Sequence, residues 1–101
     1  MQEKFYQLFS QKTPEMYYIL GLIFGDGCVH FNESKRKYYV NLTSGDLDIL
    51  INFQNFIGKQ YKIKKYKTAN AYYINVWSKP LTEALFKLYK LNPFYLFQLE
   101  V

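Results

Sequence analysis

The sequence predicts an α+β domain that runs helix, hairpin, helix, hairpin, helix. Three observations carry that reading. Apolar residues recur at helical spacing in the stretches 14–25, 47–57 and 81–91. The first two of these are each followed by a pair of short segments in which apolar and polar residues alternate, as they do in strands with one buried face. Capping residues precede the helical stretches, and glycine or Asn-Pro ends them. With 101 residues and no linker or low-complexity stretch, the chain reads as one domain over 1–101.

Residues 1–12 carry Phe5, Tyr6, Leu8 and Phe9 among polar neighbours, a pattern open to a short amphipathic helix or to an arm over the core. Thr13-Pro14-Glu15 then starts a helix, with Thr13 as N-cap, Pro14 at the first helical position and Glu15 at the positive end of the dipole. That helix runs to about Gly25, and Gly27 is expected to supply a left-handed turn that ends it. Alternation next places Val29 and Phe31 on one face of a strand and Cys28, His30 and Asn32 on the other. Glu33 to Arg36 make the turn. In the returning strand Tyr38, Val40 and Leu42 face the core, and Lys37, Tyr39 and Asn41 face outward.

Ser44-Gly45-Asp46 caps the second helix, whose apolar positions from Leu47 to Ile57 stop at Gly58. The second hairpin pairs 59–64 with 72–77 across Thr68-Ala69-Asn70. Tyr61 and Ile63 are expected inward against Ile74 and Val76, with Lys62 and Lys64 outward beside Tyr73, Asn75 and Trp77. A shift of one residue in the last strand would exchange its faces. Ser78 caps the third helix, with Leu81, Leu85, Leu88 and Leu91 as its apolar stripe and Asn92-Pro93 as its end.

Composition narrows the class. The formal net charge is +5, which points to a polyanionic partner or an anionic membrane surface. Aromatic residues make up 21% of the chain, more than a domain this small buries comfortably, so part of that surface is expected at an interface or a ligand. The single Cys28 permits no intramolecular disulfide, and the N-terminus lacks the parts of a signal peptide, so an intracellular, reduced setting is expected, in the cytoplasm or another DNA-containing compartment. The longest apolar run, Met16 to Phe24, falls short of the roughly 20 residues of a membrane span, so no membrane partner is expected.

The stretch Ile19 to Gly27 combines features an ordinary core helix avoids. Gly21 and Gly25 lie four apart on one helical face, where each glycine costs about 0.8–1 kcal/mol relative to alanine. Close approach of a second backbone would offset that cost. Asp26 follows where the apolar run stops. These nine residues resemble the signature of the LAGLIDADG homing endonucleases. Gly21, Asp26 and Gly27 match outright, and Ile19, Leu20, Leu22, Ile23 and Gly25 are apolar or small where the family is. Phe24 departs by replacing the family's first aspartate.

The resemblance covers about Thr13 to Leu91 and extends to the order of elements. It implies an αββαββα LAGLIDADG homing endonuclease-like unit, with its signature helix at about 14–27 and a four-stranded antiparallel saddle sheet backed by helices. The saddle would lie along the major groove of double-stranded DNA. A chain with one signature works in that family as a homodimer, which makes Gly21 and Gly25 the expected dimer contact. The implied activity is sequence-specific, Mg²⁺-dependent hydrolysis of DNA phosphodiesters, with Asp26 as the catalytic metal ligand and the backbone carbonyl of Gly25 as a further ligand.

The residues bear on this expectation independently. A carboxylate at the negative end of a helix dipole is unfavourable by about 0.3–1 kcal/mol, and a cation (Mg²⁺ or another divalent ion) would remove the conflict. The plainer role for Asp26 is a solvated turn residue. Eight of the 13 basic residues fall in two stretches, Lys35-Arg36-Lys37 and Lys59, Lys62, Lys64, Lys65 and Lys67. They suit phosphate contact, or alternatively protection of a sheet edge against aggregation. Asn32 and Asn41 have the bidentate geometry that reads adenine. His30, Tyr39, Tyr73 and Asn75 complete the expected DNA surface, whereas Trp77 and the remaining tyrosines are read as packing residues.

Other nuclease chemistries fit poorly. Glu33-Ser34-Lys35 has an E-x-K spacing but falls in a turn, and one histidine with one cysteine cannot assemble a zinc site. The family's helper positions are also not matched: Ser44 lies near one, and Asn92 to Tyr95 contains no lysine at the other. These departures, and a chain that stops soon after its third helix, motivate the alternative of a non-cleaving DNA-binding regulator or an inhibitor of a nucleic-acid enzyme.

Overall fold

A computed structural model describes residues 3–89 of the chain. In order they form α1 (Glu3–Ser10), α2 (Pro14–Asp26), β1 (Gly27–Asn32), β2 (Lys37–Ser44), α3 (Leu47–Ile57), β3 (Ile63–Lys65), β4 (Tyr72–Trp77) and α4 (Lys79–Tyr89). The expected α+β order is present, preceded by α1, which settles the N-terminal stretch as a helix with Phe5 and Phe9 buried. Leu91, the Asn92-Pro93 stop, the segment Asn92 to Tyr95 and the tail to Val101 lie outside the described residues.

The helix starts follow the capping chemistry. Thr13 has an extended backbone, and its Oγ1 accepts a hydrogen bond from the Met16 N–H at 3.1 Å. Asp46 caps α3 by accepting from the Asp48 N–H at 3.0 Å, and Ser44 Oγ in turn accepts from the Asp46 N–H at 3.0 Å. Ser78 Oγ accepts from the Leu81 N–H at 3.1 Å and opens α4. Gly58 ends α3 at φ 139°, a backbone angle that side chains strongly disfavour.

Gly27 differs from expectation. α2 continues through Asp26, and Gly27 has φ −95° and ψ 172°, so the chain passes from helix into strand with no left-handed turn. Space is what requires glycine here. A Cβ would lie 2.8 Å from the Ile23 carbonyl oxygen and 3.2 Å from that of Asn41.

The strands form one antiparallel sheet in the order β1-β2-β4-β3. The two hairpins join through β2 and β4, with Val40 opposite Val76 and Asn41 opposite Asn75. The register of β4 is the expected one, because Ile63 faces Ile74 and the buried residues of β4 are Ile74 and Val76. The first strand of the second hairpin is shorter than expected, however. Residues 59–62 lie outside it: the Tyr61 N–H donates to the Gly58 carbonyl at 3.3 Å, and the Gln54 side chain donates to the Tyr61 carbonyl at 2.8 Å. Those bonds hold this segment against the end of α3.

All four helices lie on the side of Val29, Val40, Leu42, Ile74 and Val76, which are buried with Leu50, Phe53, Ile57, Leu81 and Leu85. α2, α3 and α4 pack on the sheet, and α1 packs on α4. The Tyr89 hydroxyl donates to the Phe9 carbonyl and so ties α4 to α1, and burial raises its pKa. Among the described residues no helix is long and apolar enough to cross a membrane.

Candidate nucleic-acid interface

Period-two alternation gives the sheet a second face, which no helix covers among the described residues. His30, Lys37, Tyr39, Asn41 and Asn75, all expected at a DNA surface, line one open concavity of about 480 Å³ with Cys28 and Trp77. Lys64 and Tyr73 are cross-strand partners further along the same face.

Cross-strand pairing orders this face in rows. Next to the β1–β2 turn, His30 faces Tyr39 and Tyr39 faces Trp77. The His30 and Tyr39 rings stack at 4.9 Å and 12°, and Trp77 lies 4.5 Å from Tyr39 at 49°. In the next row the Asn41 amide donates to Asn75 Oδ1 at 2.7 Å, while Thr43 Oγ1 donates to Asn41 Oδ1 at 3.1 Å. Asn41 keeps a second amide hydrogen and a second lone pair, the pair of groups that adenine reading uses. Beyond it, the Tyr73 ring lies 4.6 Å from that of Tyr66, whose hydroxyl is 3.3 Å from Thr43 Oγ1.

Other expected residues fall elsewhere. Asn32 is held in the hairpin, where its Oδ1 accepts from the Lys35 N–H at 3.1 Å and from Ser34 Oγ at 2.8 Å. It therefore acts as a turn residue. Lys35 and Arg36 are exposed in that turn. Arg36 has φ 54°, a left-handed angle that costs a non-glycine residue about 1–2 kcal/mol. Lys62 is exposed in the segment before β3. Lys65 is on the opposite face from Lys64, its ammonium 5.9 Å from the centroid of the Tyr72 ring. Ser44, the residue nearest one expected helper position, accepts from the N–H of Asp46, the cap of α3.

Behind the turn, on the helix side, the Tyr38 hydroxyl donates to Glu33 Oε1 at 2.7 Å, and Glu33 Oε2 is 3.8 Å from Lys79 Nζ. The bond to Glu33 raises the Tyr38 pKa first, with desolvation second. Its contribution to folding is present below the ordinary tyrosine range and is lost as pH rises through the raised value.

The second candidate feature is α2. Met16, Ile19, Leu20 and Ile23 are buried against the sheet, while Tyr17, Tyr18, Gly21, Phe24 and Gly25 face out. Tyr17 is 50% exposed and Phe24 61%. Among the described residues, a Cβ built on Gly21 or on Gly25 would meet nothing within 4 Å. The helix is therefore apolar on both sides, although one side has no neighbour among the described residues. A helix apolar all round belongs in an interior.

Asp26 ends α2 exposed, next to the start of β1. Among the described residues the one ion pair is that of Lys79 with Glu33, and Asp26 has no cationic nitrogen within 4.0 Å. No group of three or more His, Cys, Asp or Glu side chains is placed to hold a metal ion among the described residues.

Sequence reasoning misjudged Trp77. Its parity with Tyr73 and Asn75 already pointed it outward, yet it was read as packing, and it is 61% exposed. Comparison with protein-family models, with characterised proteins and with solved structures finds no match to this chain.

Proposed function

We propose that two copies of the chain pair through the outer face of α2 and act on double-stranded DNA, cutting it at a site centred on the paired Asp26 residues. One observation carries the reading. The outward glycines Gly21 and Gly25 run along an apolar helix face that ends at Asp26, beside a sheet whose uncovered side carries lysine, asparagine and aromatic side chains. Contact along that face would cover Tyr17 and Phe24 and bring two carboxylates together. Lys37 and Lys64 would neutralise phosphates, and Asn41 and Asn75 would read base edges.

The donor set fits a divalent cation in the pair but not in one copy. The carboxylate of Asp26 and the backbone carbonyl of Gly25, at a helix end where the last carbonyls lack intrahelical partners, are oxygen donors of the kind Mg²⁺ takes. Bound there, such a cation supplies activation of water and stabilisation of the leaving 3′ oxygen. Mutual repulsion of two Asp26 carboxylates would be relieved by it.

The experiment is selection of duplexes from a random library, followed by incubation with and without Mg²⁺. Nicking that requires Mg²⁺ and disappears in Asp26→Asn, with binding retained, is the expected result. A second reading, a DNA-binding regulator that does not cut, draws on the lack of any three-residue ligand group among the described residues of one copy. It predicts intact DNA with the unmodified protein on every duplex it binds.

A further inference from the structure

We infer that Trp77 takes up an unpaired base of DNA lying on the open face of the sheet, extending the ring row His30–Tyr39–Trp77 by one member. The inference rests on the DNA reading above and specifies the state of the DNA at one end of the face.

Trp77 is the only tryptophan in the chain and the last residue of β4. The row it closes is bounded differently at its two ends. At His30 it reaches β1, the edge of the sheet. At Trp77 it stops because β3 pairs only with Tyr72 to Ile74, so among the described residues no strand flanks β4 at that level. One side of the Trp77 ring meets Tyr39, and the ring as a whole remains 61% exposed.

A flat aromatic group seated there would extend the row of rings by one member. Nucleobases do this without regard to sequence, because every base has a π-face. Within an intact duplex both faces of a base are covered by its neighbours, so the ring finds a partner only where a base is single-stranded or extruded. The phosphate chemistry is at the same end of the sheet. Lys37 lines the concavity with Trp77, and Lys35 and Arg36 are in the adjoining turn. Lysines that track a backbone beside stacking rings are the combination that single-strand sites use.

The sole tryptophan reports its own occupancy. The full chain is titrated with a single-stranded DNA of about 12 nucleotides, with the same sequence as a blunt duplex, and with the RNA strand of that sequence. Binding is followed separately through an end label on the nucleic acid. The expected result is quenching of tryptophan emission by the DNA strand, with little change when labelled duplex is bound to saturation. Trp77→Leu should weaken strand binding roughly 10-fold and duplex binding less than about twofold, while Trp77→Phe, which keeps a ring, recovers part of the loss.

Equal quenching by strand and duplex, or equal weakening of both by Trp77→Leu in a protein whose melting temperature is unchanged, overturns the unpaired-base assignment. Tighter binding of the RNA strand overturns the choice of DNA. Duplex binding with tryptophan emission unmoved by any strand removes this inference alone, whereas failure of every nucleic acid to bind removes the DNA reading with it.

Discussion

The two faces of the sheet are built from alternate residues of the same strands and answer to different physics. Val29, Val40, Leu42, Ile74 and Val76 are dry and fully packed, and among the described residues no buried side-chain polar atom lacks a partner. One position away along the chain, the half-buried Asn41 and Asn75 bond to each other on the opposite face, with His30, Tyr39 and Trp77 in a row beside them. Burial accounts for the first set completely. The second set does not need its residue types for folding: an exposed tryptophan and an aligned asparagine pair add little to a core that is already closed. The difference separates what holds the domain together from what is available to a ligand.

Adjacent substitutions in β2 test the contrast most strongly. Leu42→Ala opens a cavity at the centre of the core and should cost about 2–5 kcal/mol in urea unfolding, enough to threaten a domain of this size. Asn41→Ala removes two exposed-side hydrogen bonds and should cost no more than about 1.5 kcal/mol. Comparable losses at the two positions would mean that the open face is structural after all.

Much of this contrast was legible in the sequence, because it follows from alternation. Val40 and Asn41 differ by one place, and a period of two puts them on opposite sides whatever the rest of the chain does. Caps were equally plain: Thr13, Asp46 and Ser78 each accept the bond expected of them. Where the structure departs from these expectations, the causes differ from residue to residue. Gly27 was assigned a local backbone role, but the Asn41 carbonyl across the hairpin is part of what excludes a Cβ. Lys62 was placed in a strand on its spacing, and the Gln54 side chain, seven residues before Tyr61, keeps the segment out of the sheet. Asn32 was read as a base reader, yet its own turn claims its oxygen. Lys65 was grouped with Lys64 by charge when parity separates them.

Gly21 within α2 and Gly27 just after it carry the same contrast to the helix. Gly27→Ala forces a methyl group to within 2.8 Å of a carbonyl oxygen and should destabilise by about 1–3 kcal/mol. Gly21→Ala meets nothing among the described residues, so it should make the helix about 0.8–1 kcal/mol more stable in an isolated copy. If two copies pair through this face, the same methyl group holds the helices apart, and sedimentation velocity should show the assembly weakened even as the monomer gains stability. A gain in monomer stability with self-association unchanged would place the contact elsewhere and remove the basis for pairing the Asp26 carboxylates.

The smallest expected effect separates the neighbouring lysines of β3. Lys64 is on the open face beside Tyr73, whereas Lys65 extends over the Tyr72 ring on the helix side. Replacing a lysine that neutralises a phosphate lowers the slope of log K against log salt by about 1, because fewer counterions are released on binding. Lys64→Gln should do so, and Lys65→Gln should leave the slope alone. The second substitution should instead cost up to about 1 kcal/mol of stability through the lost contact between ammonium and ring. Measuring duplex affinity over a series of salt concentrations for both variants decides the matter. Equal slopes would mean that the basic charge of this hairpin acts as a diffuse field; a lower slope for Lys65→Gln alone would put the DNA on the side of the sheet that the helices occupy, which their packing forbids.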